Sequence, residues 1–479
     1  MLLLAIAARS SRLTSRTLVQ VPRTPRLYPL GVHGTNRVDG LDDLRAEDDD
    51  ATQHAGGHRG SRWSGQCDGG SGGPSRTGGR SDRPRRGGPC PYNRTTVNKG
   101  LLSGAADDAG VALPGMDGLG IDWRTATAAR FLDATGPAVE LADGTWLRAD
   151  AVVLATGAIP RVLPAPVDEG ARNRVLTLRT AADTAGLRAL LAQRPGLVVI
   201  AGAGLIGTET AGVLLAAGCP VTVVDPARRP MTRQVGSTVA DWITGTHRGA
   251  GVDLRMGTAI DAVRESGPSR EHDGDLHVEL DDGTGVPARA VLACLGVEPA
   301  TDWLRGSDVT APGRPGGVLV DHSQRVRDRP GLYAVGDLAA FPGPDGEPVR
   351  VEHWGAALGQ AAVAATTLLA DLGILAAAQL PVPAMPSYST YVHGVKLTIL
   401  GWPGAAVTDR LVLGRVGYPR FAVALIDAAG RVVGAVGVGG ARAVNRMRPL
   451  IARRADAVDL EVDPAAVVVS GDAGNRSER

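Results

Sequence analysis

Cysteine is scarce, with 4 among 479 residues, and Cys67, Cys90, Cys219 and Cys294 share neither a Cys-x-x-Cys motif nor metal-ligand spacing. That excludes a disulfide framework and a structural zinc site, predicts no metal, and argues for a cytoplasmic protein. An excess of one charge is also lacking: 51 basic residues face 50 acidic ones, for a net charge of +1. Nothing therefore calls for a nucleic-acid partner or an anionic membrane. Long apolar runs are missing too, since Met1–Ala8 is far too short to span a bilayer. Residues 1–38 contain arginines and no acid, which resembles a targeting peptide. Aliphatic side chains fail altogether from Arg45 to Thr96, where no Val, Ile, Leu, Met or Phe occurs. A Gly/Arg-dominated stretch of that kind buries too little apolar surface to offset its ordering entropy, so residues 1–90 are expected to be anomalous and disordered.

From Val97 the chain is globular, and its clearest signal is Leu197-Val-Val-Ile-Ala followed by Gly202-Ala-Gly204-Leu205-Ile206-Gly207. Five apolar residues predict a buried parallel strand. Gly202 permits the tight turn, Gly204 lets backbone approach a pyrophosphate, and Gly207 lets the next helix pack against the strand. The helix N-terminus offers free N–H groups to phosphate, Ala211, Val213, Leu214 and Leu215 supply its buried side, and Gly218 is placed to end it. Asp225 stands 18 residues past Gly207 at the tip of a second strand, where a carboxylate accepts ribose hydroxyls. It favours NADH over NADPH, although Arg228 and Arg229 leave room for a 2′-phosphate reading.

An internal repeat surrounds this motif. Val139-Glu-Leu-Ala-Asp-Gly-Thr145 recurs as Val278-Glu-Leu-Asp-Asp-Gly-Thr284, and Ala151-Val-Val-Leu-Ala155-Thr156-Gly157 recurs as Ala290-Val-Leu-Ala-Cys-Leu-Gly296. Both pairs are offset by 139 residues, and each copy reads as a hairpin turning at Asp-Gly followed by a buried strand. Two related nucleotide-binding domains follow. The same offset puts the first domain's glycine fingerprint at residues 63–68, yet Trp63-Ser-Gly-Gln-Cys-Asp68 has neither a strand before it nor a helix after it.

The ordered series Tyr92-Asn-Arg94-x-x-x-x-Lys99, Ala155-Thr-Gly157, Gly202-x-Gly-x-x-Gly207, Tyr333-Ala-Val-Gly336-Asp337 and Glu352-His353-Trp354 resembles the FAD-dependent pyridine nucleotide-disulfide oxidoreductases. Within them it is most similar to the NADH:ferredoxin or rubredoxin reductases that feed oxygenases, over roughly residues 91–465. The resemblance implies FAD and NADH as cofactors. It implies that Asp337 binds the ribityl chain beside Gly336, that Lys99 and Glu209 form an ion pair at the reactive flavin nitrogen, and that the backbone of Glu352–Trp354 meets the flavin pyrimidine edge. It also carries Arg94, Ala155, Thr156, Gly157, Leu205, Ile206 and Gly296 into the cofactor sites.

Simpler roles stay open for several of these. Asp337 reads equally as a cap before Leu-Ala-Ala, Glu209 as an acid in the first turn of its helix, and Trp354 as a buried anchor. Thr95-Thr96 stand where the family commonly has prolines, and Asn98 where it has serine. The aromatic-Trp pair usual near Ser387 is absent, which bears on the identity of the acceptor. Arg442, Arg446, Arg448, Arg453 and Arg454 make the last helix basic, which suits an acidic ferredoxin or simply a solvated face.

The expected fold is α/β: two Rossmann-like dinucleotide domains, the NAD domain inserted in the FAD domain, plus a small α+β C-terminal domain. The expected boundaries are 91–175 and 299–378 for the FAD domain, 176–298 for the NAD domain, 379–470 for the C-terminal domain and 471–479 for a tail. No cysteine lies between Cys90 and Cys219, so no redox pair follows Lys99, and electrons leave the flavin directly for an iron–sulfur or rubredoxin-type carrier. The rival expectation is an NAD-binding protein without competent flavin, because the first FAD-binding unit is missing. The abrupt change near residue 90 reads as a frame-shifted or misassigned translation of a normal FAD-binding start.

Overall fold

The computed structural model describes residues 3–7 (backbone only), 91–113, 121–124, 127–266, 276–311, 313, 315–376, 385–418 and 420–460. The fingerprint position at 63–68, Cys67, Cys90 and the tail lie outside the described residues, as does all of 1–90 except Leu3–Ala7.

The central domain is built on a parallel sheet of five strands in the order Asp253–Met256, Val221–Asp225, Val198–Ala201, Ala290–Ala293 and Val175–Leu176. All four residues of Val198–Ala201 are buried, as a strand covered on both faces requires. Helix α1 (Ala181–Gln193) opens with a reciprocal capping box between Thr180 and Asp183. Helix α2 (Leu205–Ala216) follows the first central strand, and its buried side is Ala211 and Leu214, with Val213 and Leu215 packed at the edge of the same core. Gly218 adopts φ +83° directly after it, the left-handed turn that ends the helix.

The repeat is visible in three dimensions. Ala129–Asp133, Ala138–Leu141 and Trp146–Arg148 form one antiparallel sheet, and Ile260–Glu265, Leu276–Leu280 and Gly285–Ala288 form its counterpart. Each turns at Asp-Gly with the glycine at positive φ, +85° at Gly144 and +82° at Gly283. Each then delivers a buried strand, Ala151–Ala155 or Ala290–Ala293. The first copy pairs in parallel with Leu332–Ala334 and in antiparallel fashion with Leu3–Ala7. The apolar N-terminus, for which the sequence suggests no strand, thus occupies a sheet edge that would otherwise expose backbone donors and acceptors.

Helix α3 (Thr232–Ala250) kinks at Gly236, and helix α4 (Trp354–Asp371) packs on the strand ending in Ala334. The C-terminal domain is an antiparallel sheet in the order Ser387–Val392, Val395–Gly401, Val432–Val438, Phe421–Ile426 and Thr408–Gly414. Its first two strands are a hairpin turning at His393-Gly394, with φ +46° and +83°. One face packs on two short helices. The other shares a core with α3, in which Val235, Val239 and Ile243 meet Leu397, Phe421 and Val436. The single basic helix expected at the end is instead two short ones, Ala441–Arg446 and Arg448–Ala452, and Arg454 is paired with Asp427 at 2.7 Å. Among the described residues, no helix is long and apolar enough to cross a membrane.

Candidate functional site

The Gly202–Gly207 turn is shaped by sterics. Gly202 takes φ +105°, and a Cβ there would collide with the Cys294 carbonyl; one on Gly207 would collide with the Gly202 carbonyl. Gly204 differs, because a Cβ there would meet nothing within 4 Å. The open space above Gly204, at the N-terminus of a twelve-residue helix, is a cradle for an anion. Asp225 closes the turn from the neighbouring strand: Oδ2 accepts from Ala203 N and Oδ1 from Ala227 N, both at 2.7 Å. Arg228 is exposed, while Arg229 is drawn to Asp241 at 2.6 Å. Leu205 packs against the α3 core and Ile206 is exposed at the helix start.

Glu209 is not in the first turn of α2, which holds no acid; it lies further along and is buried at 6% exposure. Two side-chain donors and one main-chain amide from a distant segment, rather than the helix terminus, satisfy it. Its Oε2 accepts from Lys99 Nζ at 3.1 Å and Asn98 Nδ2 at 2.9 Å, and its Oε1 accepts from Tyr391 N at 3.1 Å. One carboxylate therefore joins the segment before the central domain, α2 itself and the C-terminal hairpin.

Beside this junction, His353 caps α4 by accepting from Gly355 N, and its ring lies 4.9 Å from that of Tyr388. Burial, reinforced by the Lys99 charge, pushes the His353 pKa down to about 4, so the imidazole is neutral at physiological pH. Glu352 is held by Arg350 at 2.8 Å, while burial pushes its carboxyl above the usual range. Trp354 is the first residue of the helix and only partly buried.

A third cluster gathers at the strand ends. Thr156 donates to the Ala300 carbonyl at 3.0 Å, fixing the turn after Ala155. Gly157, Gly296 and Gly336 all take positive φ, at +70°, +82° and +74°. Gly336 N donates to buried Gln360 Oε1 at 2.6 Å, and Asp337 accepts from Arg179 at 3.0 Å. The segment after Asp337 is no helix: Ala339–Pro342 is a strand, so Asp337 is not a helix cap. Arg94 joins this cluster, its pKa lowered by burial and then by the like charge of Arg179. Sequence reasoning missed Arg179 and Arg350. Arg179 left a faint signal, since a cation just ahead of a helix N-terminus opposes the dipole and wants another purpose.

These residues fit a dinucleotide and a flavin. The Gly204 space is one a Cβ would fill, and Arg179 Nε is buried without a partner at the Asp337 cluster. Cys219 and Cys294 are free, and burial pushes both thiols up, Cys294 to about 12, so neither is a ready nucleophile. Among the described residues, no group of three or more His, Cys, Asp or Glu is placed to hold a metal.

The chain is similar to known proteins along most of its described length. The profile of the pyridine nucleotide-disulphide oxidoreductase family matches residues 80–361. The ferredoxin–NAD(+) reductase component of the p-cumate 2,3-dioxygenase system of Pseudomonas putida is 35% identical over 63% of this chain and 69% of its own length. The corresponding component of the anthranilate 1,2-dioxygenase system of Burkholderia cepacia is 32% identical, over 76% and 85%. The crystal structure of the ferredoxin reductase for the CYP199A2 system from Rhodopseudomonas palustris superposes with a TM-score of 0.68 at 26% identity, covering 78% of this chain and 89% of that one. The chain belongs to the pyridine nucleotide-disulphide oxidoreductases, in their ferredoxin reductase-like branch.

Proposed function

We propose that this chain is an FAD-containing reductase that takes a hydride from NADH and passes electrons singly to a small ferredoxin or rubredoxin-type carrier. On this reading residues 91–175 and 299–378 form the FAD domain, 176–298 the NADH domain and 379–470 the C-terminal domain, and the protein works in the cytoplasm. The observation that carries it is the Lys99–Glu209 pair at 3.1 Å, in which a carboxylate buried in the nucleotide helix holds a partly exposed lysine, unaccompanied by any cysteine from 91 to 218.

Bound FAD supplies the conversion of a two-electron hydride into two one-electron transfers. The chain's residues bind and orient. Gly202, Gly204 and Gly207 receive the NADH pyrophosphate at the start of α2, and Asp225 takes the adenosine ribose. Asp337 and Arg179, with Arg94 beside them, hold the flavin's ribityl and phosphate end. Glu209 orients the Lys99 ammonium towards the flavin ring. The α4 N-terminus, where neutral His353 accepts from Gly355 N, would lend the positive end of its dipole to a bound flavin and favour negative charge there. Asp225 supports NADH over NADPH, since its carboxylate would repel a 2′-phosphate.

The test is NADH-driven reduction of an acidic [2Fe–2S] ferredoxin under nitrogen. The reading expects steady reduction that depends on both proteins. No ferredoxin reduction under nitrogen, with NADH consumed only once oxygen is admitted and at a rate indifferent to ferredoxin, would replace it with an oxidase.

A further inference from the structure

Asn98 stands apart from the site residues read from the sequence. It is buried at 4% exposure and gives its side-chain amide to the same Glu209 oxygen that receives Lys99. A carboxylate buried to this degree must have its lone pairs filled, and three donors do so: Lys99 Nζ, Asn98 Nδ2 and Tyr391 N. Of the two side-chain donors, Lys99 is one-third exposed and sits on a flexible stem with three rotatable N–H groups, so it sets no geometry of its own. Asn98 is planar, short and enclosed. Together with the Tyr391 amide it fixes both oxygens of Glu209, and the fixed carboxylate then determines where the ammonium rests.

We propose that Asn98 is a positioning residue for hydride transfer: it locks the Glu209 carboxylate so that Lys99 is held at the flavin. The proposal rests on the reductase reading above. It also gives the chain's departure from the family's serine a purpose, because an amide reaches further than a hydroxyl and its planar N–H groups point in fixed directions.

Other charged or titratable groups near the pair are few. Lys99 comes from the same segment as Asn98, neutral His353 comes from the start of α4 and feels the charges of both Lys99 and Asp337, and the ring of Tyr388, from the C-terminal hairpin, lies 4.9 Å from that of His353. The Tyr391 contact is through its main chain.

The experiment is anaerobic stopped-flow reduction of the flavin by NADH across pH 6–9, in wild type, Asn98→Ala and Asn98→Asp. Flavin absorbance and thermal unfolding are measured alongside. Asn98→Ala should retain flavin and bind NADH as wild type does, but reduce its flavin about ten-fold more slowly, the scale of one lost hydrogen bond to a charged group. Asn98→Asp is isosteric, so its packing is kept even if the alanine variant fails to fold. It sets a second carboxylate against Glu209, so its rate should fall as pH rises and the two charges repel, and recover as pH falls and a proton is shared. A flavin-loaded alanine variant reduced at the wild-type rate, or an aspartate variant with the wild-type pH profile, would overturn the proposal. So would a folded alanine variant that has lost its flavin. A wild-type protein that binds no flavin would instead defeat the reductase reading.

Discussion

Asp409, in the last strand of the C-terminal sheet, caps Ser237 in the central domain, its Oδ2 accepting from Ser237 N at 2.6 Å and from Ser237 Oγ at 2.8 Å. The contact falls where α3 kinks at Gly236, whose φ of +79° frees the amides of Ser237 and Thr238. A side chain at 236 would run into Asp409 and Leu425, so kink and cap are one device. With the shared core of α3 and the sheet, it ties the C-terminal domain to the central one. Asp409→Ala should cost about 1–2 kcal/mol, the usual worth of an N-cap, and lower the thermal midpoint. An unchanged midpoint would mean the cap contributes nothing.

Gly204 and Gly202 should separate binding from folding. Ala at 204 meets no neighbour, so Gly204→Ala should unfold like wild type yet bind NADH at least about ten-fold more weakly, because its methyl group fills the anion cradle. Gly202→Ala places a Cβ against the Cys294 carbonyl at positive φ and should destabilise the domain itself. Calorimetric titration with NADH and thermal unfolding distinguish the two.

Asp225 should govern the choice of nucleotide. Asp225→Ala should lower the ratio of kcat/KM for NADH over NADPH by about ten-fold or more, as repulsion of the 2′-phosphate disappears and Arg228 becomes the dominant nearby charge. Steady-state kinetics with both nucleotides give the ratio, and an unaltered value would assign discrimination elsewhere.

The His247–His393 contact predicts acid sensitivity. The two rings meet at 2.9 Å across the α3–hairpin interface, and His247 Nε2 is buried without a partner. Protonated, His247 carries an N–H on both ring nitrogens, with no acceptor at Nε2 and only the His393 ring at Nδ1. Burial, then the neighbouring His393, pushes its pKa from 6.5 down to about 4. The unfolded chain therefore binds more protons between those values, and stability is full above pH 6.5 and lost as pH falls towards 4. The loss should approach about 3 kcal/mol from this group. Burial lowers the His393 pKa as well, and His353, also near 4, adds to the same slope. Denaturant unfolding at pH 7, 6 and 5 measures it, and His247→Gln should flatten the profile.

Local signals made the nucleotide turn legible: Gly202 to Gly207, the strand ahead of it and Asp225 each act within one βαβ unit, where spacing and sterics are written in sequence. The repeat was legible because both copies keep Asp-Gly at the same hairpin corner. The Lys99–Glu209 pair came from resemblance, and Glu209 falls just past the first turn of α2 rather than within it, since helix starts are the least legible part of an element. The contacts between distant segments were not legible. Arg179–Asp337, His247–His393 and Ser237–Asp409 join residues 158, 146 and 172 apart, and nothing in either partner's neighbourhood names the other. The basic C-terminal run was legible in part: Arg442, Arg446 and Arg453 are exposed, as a solvated face requires, but composition does not record that Arg454 is paired with Asp427.

The central claim is that these residues hold a flavin which NADH reduces. Anaerobic titration of the purified protein with NADH, followed by visible absorbance, tests it most directly. The account predicts flavin bands near one per chain, bleached by about one equivalent of NADH and restored by oxidised ferredoxin. A colourless protein that binds NADH without spectral change would contradict it and leave a nucleotide-binding protein without redox function.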